Sequence, residues 1–348
     1  MQMAKIPVRL RGPFSGLTGY GRCFCGIAKY LLKSRRLAVE VLSLYNNPQP
    51  SADSELVAQS GIRFDVRHWG LLFGIPPLLP SLGTEYRVIY TMYEADDIPR
   101  QWRTYVKQAD EIWVPSRHCA EVFGAYNPRI RVVHLGVSEF FRPTQLDKKY
   151  YRQKLGFHED WQGYWIGTAG VMSHRKGVDV LVRAFREAFG TQSDVKLLIK
   201  TRDTRWLPPI DDPRVIVIDE DWPEEKMRDF YWALDLFVLP SRGEGFGMPP
   251  LEAARCGTPA LVTAWSGMLE YIDNDGIWGI EVAGLVPTRG MAADHAYYAE
   301  PDLADFVDKL RFLYENRPGV GRNYNYWTYR EAAKRFEKAI LESIRLRR

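Results

Sequence analysis

The chain has 348 residues, a net charge of +4, 46% hydrophobic and 13% aromatic residues. That is apolar material for two cores of about 150 to 200 residues each, without the dense basic blocks of a dedicated nucleic-acid binder. Cys23, Cys25, Cys119 and Cys256 have the spacing of neither a zinc site nor a disulfide framework, as expected for buried thiols in a reducing cytoplasm. No apolar run approaches the roughly 18 residues of a membrane span and the opening MQMAKIPVRLRGPF has no signal-peptide core, so the expected state is soluble and cytoplasmic, or peripheral at a membrane.

Lys5 to Leu10 reads as a first strand, followed by a glycine-rich turn from Gly12 to Gly21 and an amphipathic helix to about Lys33. The turn lacks the Gly-x-Gly-x-x-Gly spacing and alone is weak evidence for a nucleotide fold. Val39 to Leu44 and Ile62 to Phe64 read as the next two strands. From His68 to Ser81 an apolar stretch is broken by prolines and glycines, which excludes one long helix and suggests a loop. His68 in that stretch is a candidate base, weighed against a structural role beside Trp69. Strands are expected at Arg87 to Met92, Glu111 to Pro115 and Ile130 to Leu135, with Ser116 capping a helix between the last two. The polar, aperiodic residues Pro143 to Gly163 read as a link between domains.

The second half opens with a strand from Tyr164 to Val171, the turn MSHRKG and a helix from Val178 to Phe189. Arg175 and Lys176 at a helix N-terminus are electrostatically misplaced unless an anion lies there. Strands Val195 to Lys200 and Val215 to Ile218 follow, then a helix from Pro223 to Ala233 and a buried strand from Leu236 to Leu239. The next loop holds Gly243, Gly245 and Gly247; Pro249 and Pro250 begin a helix, Gly257 and Pro259 end it, and Ala260 to Val262 is a strand. A short helix is expected at SGMLEYI, with terminal helices at Asp302 to Tyr314 and Tyr329 to Ile344. The basic residues of the last of these alternate with apolar ones and read as a solvated face.

Alternating strand and helix imply two doubly wound parallel sheets, with residues 1–142 as one domain, 164–325 as the second, and a terminal helix in 326–348. The loop from Gly243 to Met248 lies where such sheets bind ligands and where helix amides favour an anion. Glu244 and Glu252 flank it. A carboxylate beside a phosphate suits a ligand that also offers sugar hydroxyls, which is the shape of a nucleotide sugar.

The Glu244 to Glu252 spacing, with Gly-Phe-Gly between and a strand ending in Pro240-Ser241 before, resembles the signature of the retaining glycosyltransferases of family GT4, which have the GT-B fold of two Rossmann-like domains facing across a cleft. The resemblance implies that Glu244 contacts the donor sugar, Glu252 the nucleotide ribose, and the backbone of Gly245, Phe246 and Gly247 the diphosphate and sugar. It implies that Lys176 pairs with the diphosphate, and that residues 326–348 form a helix crossing back to the first domain. The usual partner arginine falls on Gly170, and Arg175 is the nearest replacement, with Arg202 or Lys200 next. A loop after the first strand reaches the donor or acceptor in this family, which points to Ser15, Gly16, Thr18 and Gly19. Where relatives carry a histidine this chain has Tyr93 and Glu94, so Tyr93, Glu94 and Asp96, with His68 and the loop that follows it, stand as acceptor-side candidates.

The implied activity is metal-independent transfer of a sugar from a UDP-, GDP- or ADP-linked donor to a hydroxyl of a glycan, a lipid-linked saccharide or a modified nucleic acid, with no cofactor and no metal. No Asp-x-Asp motif stands at the end of a plausible strand. A sugar-nucleotide epimerase of the same fold and a nucleotide-sugar binding protein without turnover are the alternatives.

Overall fold

The computed structural model describes residues 4–14, 18–44, 68–157, 162–289, 293, 295–321 and 323–347. Ser15, Gly16 and the strand expected at Ile62 to Phe64 lie outside them. The chain divides into two compact units: Met1–Tyr93 with Asp97–Glu139 and Asn325–Arg348, and Glu94–Asp96 with Phe140–Tyr324.

In the first unit, strands β1 (Ile6–Gly12), β2 (Leu37–Ser43), β3 (Trp69–Phe73), β4 (Tyr86–Tyr90), β5 (Glu111–Val114) and β6 (Ile130–Val132) form a parallel sheet in the order β2-β1-β3-β4-β5-β6. Helices α1 (Gly19–Leu31), α2 (Arg100–Gln108) and α3 (Arg117–Gly124) connect them, α3 capped by the Ser116 side chain as expected. The stretch read as a loop after His68 is instead β3 and a 3-10 helix, Pro76–Leu82. Trp69 to Phe73 is buried at every residue, and a strand covered on both faces of a parallel sheet needs an unbroken apolar run.

The last helix, here α9 (Tyr329–Leu346), completes this unit's core. Thr328 caps it, and its buried residues Ala332, Phe336, Ala339, Ile340 and Ser343 recur at helical spacing. The Phe336 ring lies 4.9 Å from Tyr90, which itself stacks on Phe73 at 4.7 Å. Trp69 Nε1 donates to Ser343 Oγ at 3.0 Å, and Glu111 accepts from Trp113 Nε1, Tyr86 and Ser343. α1 approaches α9 so closely that a Cβ on Gly26 would meet the Tyr329 ring at 2.3 Å.

The second unit has strands β7 (Tyr164–Ala169), β8 (Val195–Thr201), β9 (Val215–Asp219), β10 (Leu236–Leu239), β11 (Ala260–Thr263) and β12 (Ile277–Ile280) in the order β12-β11-β10-β7-β8-β9, all parallel. Its helices are α4 (Lys148–Lys154), α5 (Val178–Phe189), α6 (Glu224–Ala233), α7 (Met248–Arg255) and α8 (Leu303–Asn316). α5 and α8 close one core with Phe185, Phe306, Leu310 and Leu313 against the sheet. The stretch from Pro143 to Gly163 carries α4, whose Arg152 is buried over the Trp165 ring and donates to Asp235 at 2.7 Å and to the carbonyls of Ala233 and Gly163. SGMLEYI forms a 3-10 turn, Ser266–Glu270.

Strand β12 and an antiparallel hairpin, β13 (Val282–Pro287) with β14 (Tyr297–Pro301), were not foreseen. β12 has only four residues, and Gly284 and Pro287 break the pattern of β13. Among the described residues no helix is long and apolar enough to cross a membrane.

If α9 is integral to the first unit, Phe336→Ala should cost about 3–5 kcal/mol, as for a large aromatic removed from a packed core. Leu346→Ala, at an exposed position, should cost under about 0.5 kcal/mol. Urea unfolding of the two variants measures the contrast, and equal costs would contradict it.

Candidate functional site

In the second sheet β7 and β10 are neighbours, with Leu236 opposite Ile166, while the chain runs from β7 outward to β8 and β9 and then from β10 outward to β11 and β12. This is the switch point of a doubly wound sheet, where the loops after the two central strands part and leave room for a ligand. The loop after β7 carries Gly170, Arg175 and Lys176; the loop after β10 carries Arg242 to Gly247.

The two loops are stitched together by backbone. The Arg242 N–H donates to the Arg175 carbonyl at 2.7 Å, and Ser241 Oγ donates to the Arg175 and Gly243 carbonyls at 3.1 and 3.0 Å. Gly177 has φ +68°, and a Cβ there would lie 2.0 Å from the Pro240 carbonyl oxygen. Only glycine fits both the conformation and the approach.

Glu244 sits between the two cations. Its Oε1 accepts from Lys176 Nζ at 2.6 Å and from Arg175 Nη1 at 2.9 Å, and Arg175 Nη1 also donates to the Gly243 carbonyl at 2.6 Å. All three side chains are largely buried. Burial alone would raise the Glu244 carboxyl, but the charges of Arg175 and Lys176 outweigh it and bring the pKa down to about 2. Burial lowers the Lys176 ammonium, with Glu244 opposing and Arg175 adding to that shift. The anion that offsets the misplaced cations ahead of α5 is thus supplied by the protein itself.

The backbone of Glu244 is pinned by the turn after β11. Its N–H donates to Ser266 Oγ at 2.9 Å and its carbonyl accepts from the Gly267 N–H at 2.9 Å. Ser266 holds φ +55°, an uncommon conformation for a residue with a side chain. Gly247, at φ +78°, precedes α7, and Tyr271 donates to its carbonyl at 2.6 Å. Pro249 and Pro250 fall within the first turn of α7 as expected, but they bring no N–H, so this helix start offers fewer donors than the sequence reading assumed. Glu252 is 2% exposed, and its Oε2 accepts from the Tyr231 hydroxyl at 2.7 Å.

Glu94 belongs to the second unit, with Oε1 3.7 Å from Arg175 Nη2, and Asp96 pairs with Tyr297 of β14 through N–H···O bonds of 3.2 and 2.7 Å. A Cβ on Gly170 would lie 4.0 Å from Lys176 Nζ, so that position does adjoin the lysine. Lys200 is buried at the end of β8, its ammonium 5.7 Å from the Trp222 ring, and Arg202 faces Asp221 at 3.5 Å. In the first unit Thr18 caps α1 by accepting from the Gly21 N–H, and Gly19 begins that helix at an exposed position. Tyr93 is buried with its ring edge-on to Trp102 at 5.2 Å, a core position. His68 is exposed and paired with Glu85 at 3.1 Å. Two site residues went unread in the sequence, Arg242 and Ser266; their roles come from partners far along the chain and from a backbone angle.

Residues 163–316, which include both loops, match the family model described as Glycosyl transferases group 1. Among curated relatives of this chain, a D-inositol 3-phosphate glycosyltransferase of Acidothermus cellulolyticus is 27% identical over 72% of this chain and 60% of its own. A lipopolysaccharide core mannosyltransferase of Rhizobium meliloti is 28% identical over 55% of this chain and 52% of its own. The chain thus spans about half to three-fifths of the length of these relatives. Of solved structures, sucrose-phosphate synthase from Thermosynechococcus elongatus superposes with a TM-score of 0.69, 13% identity and coverage of 98% and 100%. Anabaena HepE with UDP-glucose does so with a TM-score of 0.63, 15% identity and coverage of 97% and 100%. The shared fold is GT-B, built on two Rossmann-like domains.

A folded-state pKa of about 2 at Glu244 lies below the roughly 4.3 of an unfolded glutamate. Its ionisation therefore contributes stability that is complete above about pH 5 and is lost as pH falls toward 2. In urea unfolding between pH 6 and 2, the stability difference between wild type and Glu244→Gln should shrink steadily with acid. A difference independent of pH would mean the carboxylate is not held as described.

Proposed function

We propose that the chain is a glycosyltransferase that moves a sugar from a nucleotide-diphosphate sugar to an acceptor hydroxyl, with retention of anomeric configuration and without a metal ion. The observation that carries this reading is the Arg175–Glu244–Lys176 cluster at the switch point of the second sheet. It is supported by Anabaena HepE, whose structure holds UDP-glucose. The names of the relatives, transferases and synthases acting on sugars, do not favour an epimerase or a binding protein.

In this mechanism Lys176, with the charge of Arg175 beside it, stabilises the diphosphate as the anomeric carbon–oxygen bond breaks. The acceptor oxygen attacks the same face, and its proton passes to the leaving diphosphate oxygen, so no enzyme base is required. Glu244 keeps lone pairs for a hydroxyl of the donor sugar, and Glu252 accepts from the ribose. The backbone of Gly245, Phe246 and Gly247 lines the donor. Gly16, Thr18 and Gly19 remain donor-side, and His68, Tyr93, Glu94 and Asp96 acceptor-side, residues of the same proposal. Glu94 is the best placed of these, through Arg175.

Glu244→Gln should mainly lower kcat and Glu252→Gln should mainly weaken nucleotide binding, each by about 1.5–3 kcal/mol. Steady-state kinetics with a panel of nucleotide sugars, together with nucleotide titrations, separates the two; wild-type behaviour in both variants refutes the assignment.

Lys176→Ala and Arg175→Ala should each cost about 2–4 kcal/mol in kcat/KM for the donor, against under about 0.5 for a surface arginine. Turnover in EDTA should stay close to that without chelator. Loss of activity restored by magnesium or manganese would overturn the metal-independent step.

A further inference from the structure

Arg242 has no part in the chemistry above, yet it is among the most enclosed charged residues of the second unit, at 3% exposure. Its Nη1 and Nη2 donate to the two carboxylate oxygens of Asp179 at 2.9 and 2.8 Å. Its Nε and Nη2 donate to the two oxygens of Glu300 at 2.5 and 2.8 Å, and Nη1 also reaches the His174 carbonyl. Its backbone donates to the Arg175 carbonyl and accepts from the Ala299 N–H at 3.0 Å. One residue thus joins the first turn of α5, the turn holding Arg175 and Lys176, the loop holding Glu244, and strand β14.

Two carboxylates clamp this one guanidinium in a bidentate fashion, which leaves it no net positive charge to offer a phosphate. It fixes geometry. Asp179 sits in the first turn of α5 and Glu300 on the hairpin, so neither loop can shift without breaking charged, partly buried bonds. The hairpin, otherwise unexplained, supplies half of the clamp.

We infer that Arg242, gripped by Asp179 and Glu300, is a positioning residue that holds the Glu244 carboxylate between Arg175 and Lys176 in the geometry that glycosyl transfer needs. The inference rests on the function proposed above, but one of its readouts does not depend on activity.

The test compares Arg242→Leu, Arg242→Lys and Glu300→Gln with the wild type. The measurements are kcat and KM with UDP-glucose, UDP binding, and titration of the Glu244 side-chain carboxyl by carbon-13 NMR. Loss of register should lower kcat in Arg242→Leu by about 100-fold, the scale of an ångström's misplacement, while UDP binding changes far less. The lysine variant should recover part of the loss. The Glu244 carboxyl, near 2 in the wild type, should titrate higher in Arg242→Leu, toward the roughly 4.3 of a free glutamate. A folded Arg242→Leu with wild-type kcat and wild-type titration overturns the inference. Should that variant not fold, Glu300→Gln decides: a smaller fall in kcat with an upward titration supports the clamp, and no change in either refutes it. A wild type that turns over no nucleotide sugar, beside variants whose Glu244 titration still moves, would sink the glycosyl-transfer reading and leave the clamp standing.

Discussion

The second unit depends on a buried carboxylate shared by two buried cations. Taking three charges out of water is expensive, and their mutual attraction offsets that cost only when the geometry is tight and the remaining hydrogen-bonding sites are filled. At Glu244 the geometry is tight. Lys176 and Arg175 approach to 2.6 and 2.9 Å, and the Arg175 fork is filled further by the Gly243 carbonyl, with Glu94 at 3.7 Å. With one carboxylate against two cations in direct contact, the cluster keeps a surplus positive charge that the more distant Glu94 only partly offsets. That surplus is what the proposed diphosphate contact draws on.

The sheet order explains why these residues meet at all. Arg175 and Glu244 are far apart in sequence, but each lies on the loop that follows one of the two central strands, β7 and β10, which are hydrogen-bonded neighbours. Parallel strands put every such loop at the same edge of the sheet, and the reversal of winding between β7 and β10 makes their loops diverge. Gly177 against Pro240 sets how closely those loops can touch. The hydrophobic pattern that forms the strands thereby fixes the distance between the charges, and the chemistry inherits its geometry from the core.

Much of this was legible in the chain itself, and the exceptions have physical causes. The helix from Val178 to Phe189 and the strand Leu236 to Leu239 were readable to the residue, because glycine or proline bounds each and their apolar period is strong. Trp69 to Phe73 was misread because the prolines just beyond it dominated the reading, although an unbroken apolar run of that length is what a central parallel strand requires. At the site, Glu244, Lys176 and Arg175 could be found because a glycine-rich loop and cations ahead of a helix have a recognisable electrostatic logic. Arg242 could not. Its carboxylate partners lie 63 and 58 residues away, and no local pattern announces a pairing of that range. Ser266 was hidden for another reason, since its role follows from a positive φ that nothing in its neighbours demands.

The start of α7 sharpens the division of labour between side chains and backbone. Helix N-termini attract anions through their unpaired N–H groups and through the dipole of the helix. Two of the first three residues of α7 are prolines, so the fixed φ that makes the helix start cleanly also removes donors that an anion would use. The dipole survives, but within an eight-residue helix it supplies only a fraction of a charge. Gly170 carries no side chain of its own to add. Under the proposed function, the diphosphate must then be met chiefly by Lys176 and Arg175, two cations that Glu244 balances and that, on the inference above, Arg242 helps to hold by keeping Glu244 in place.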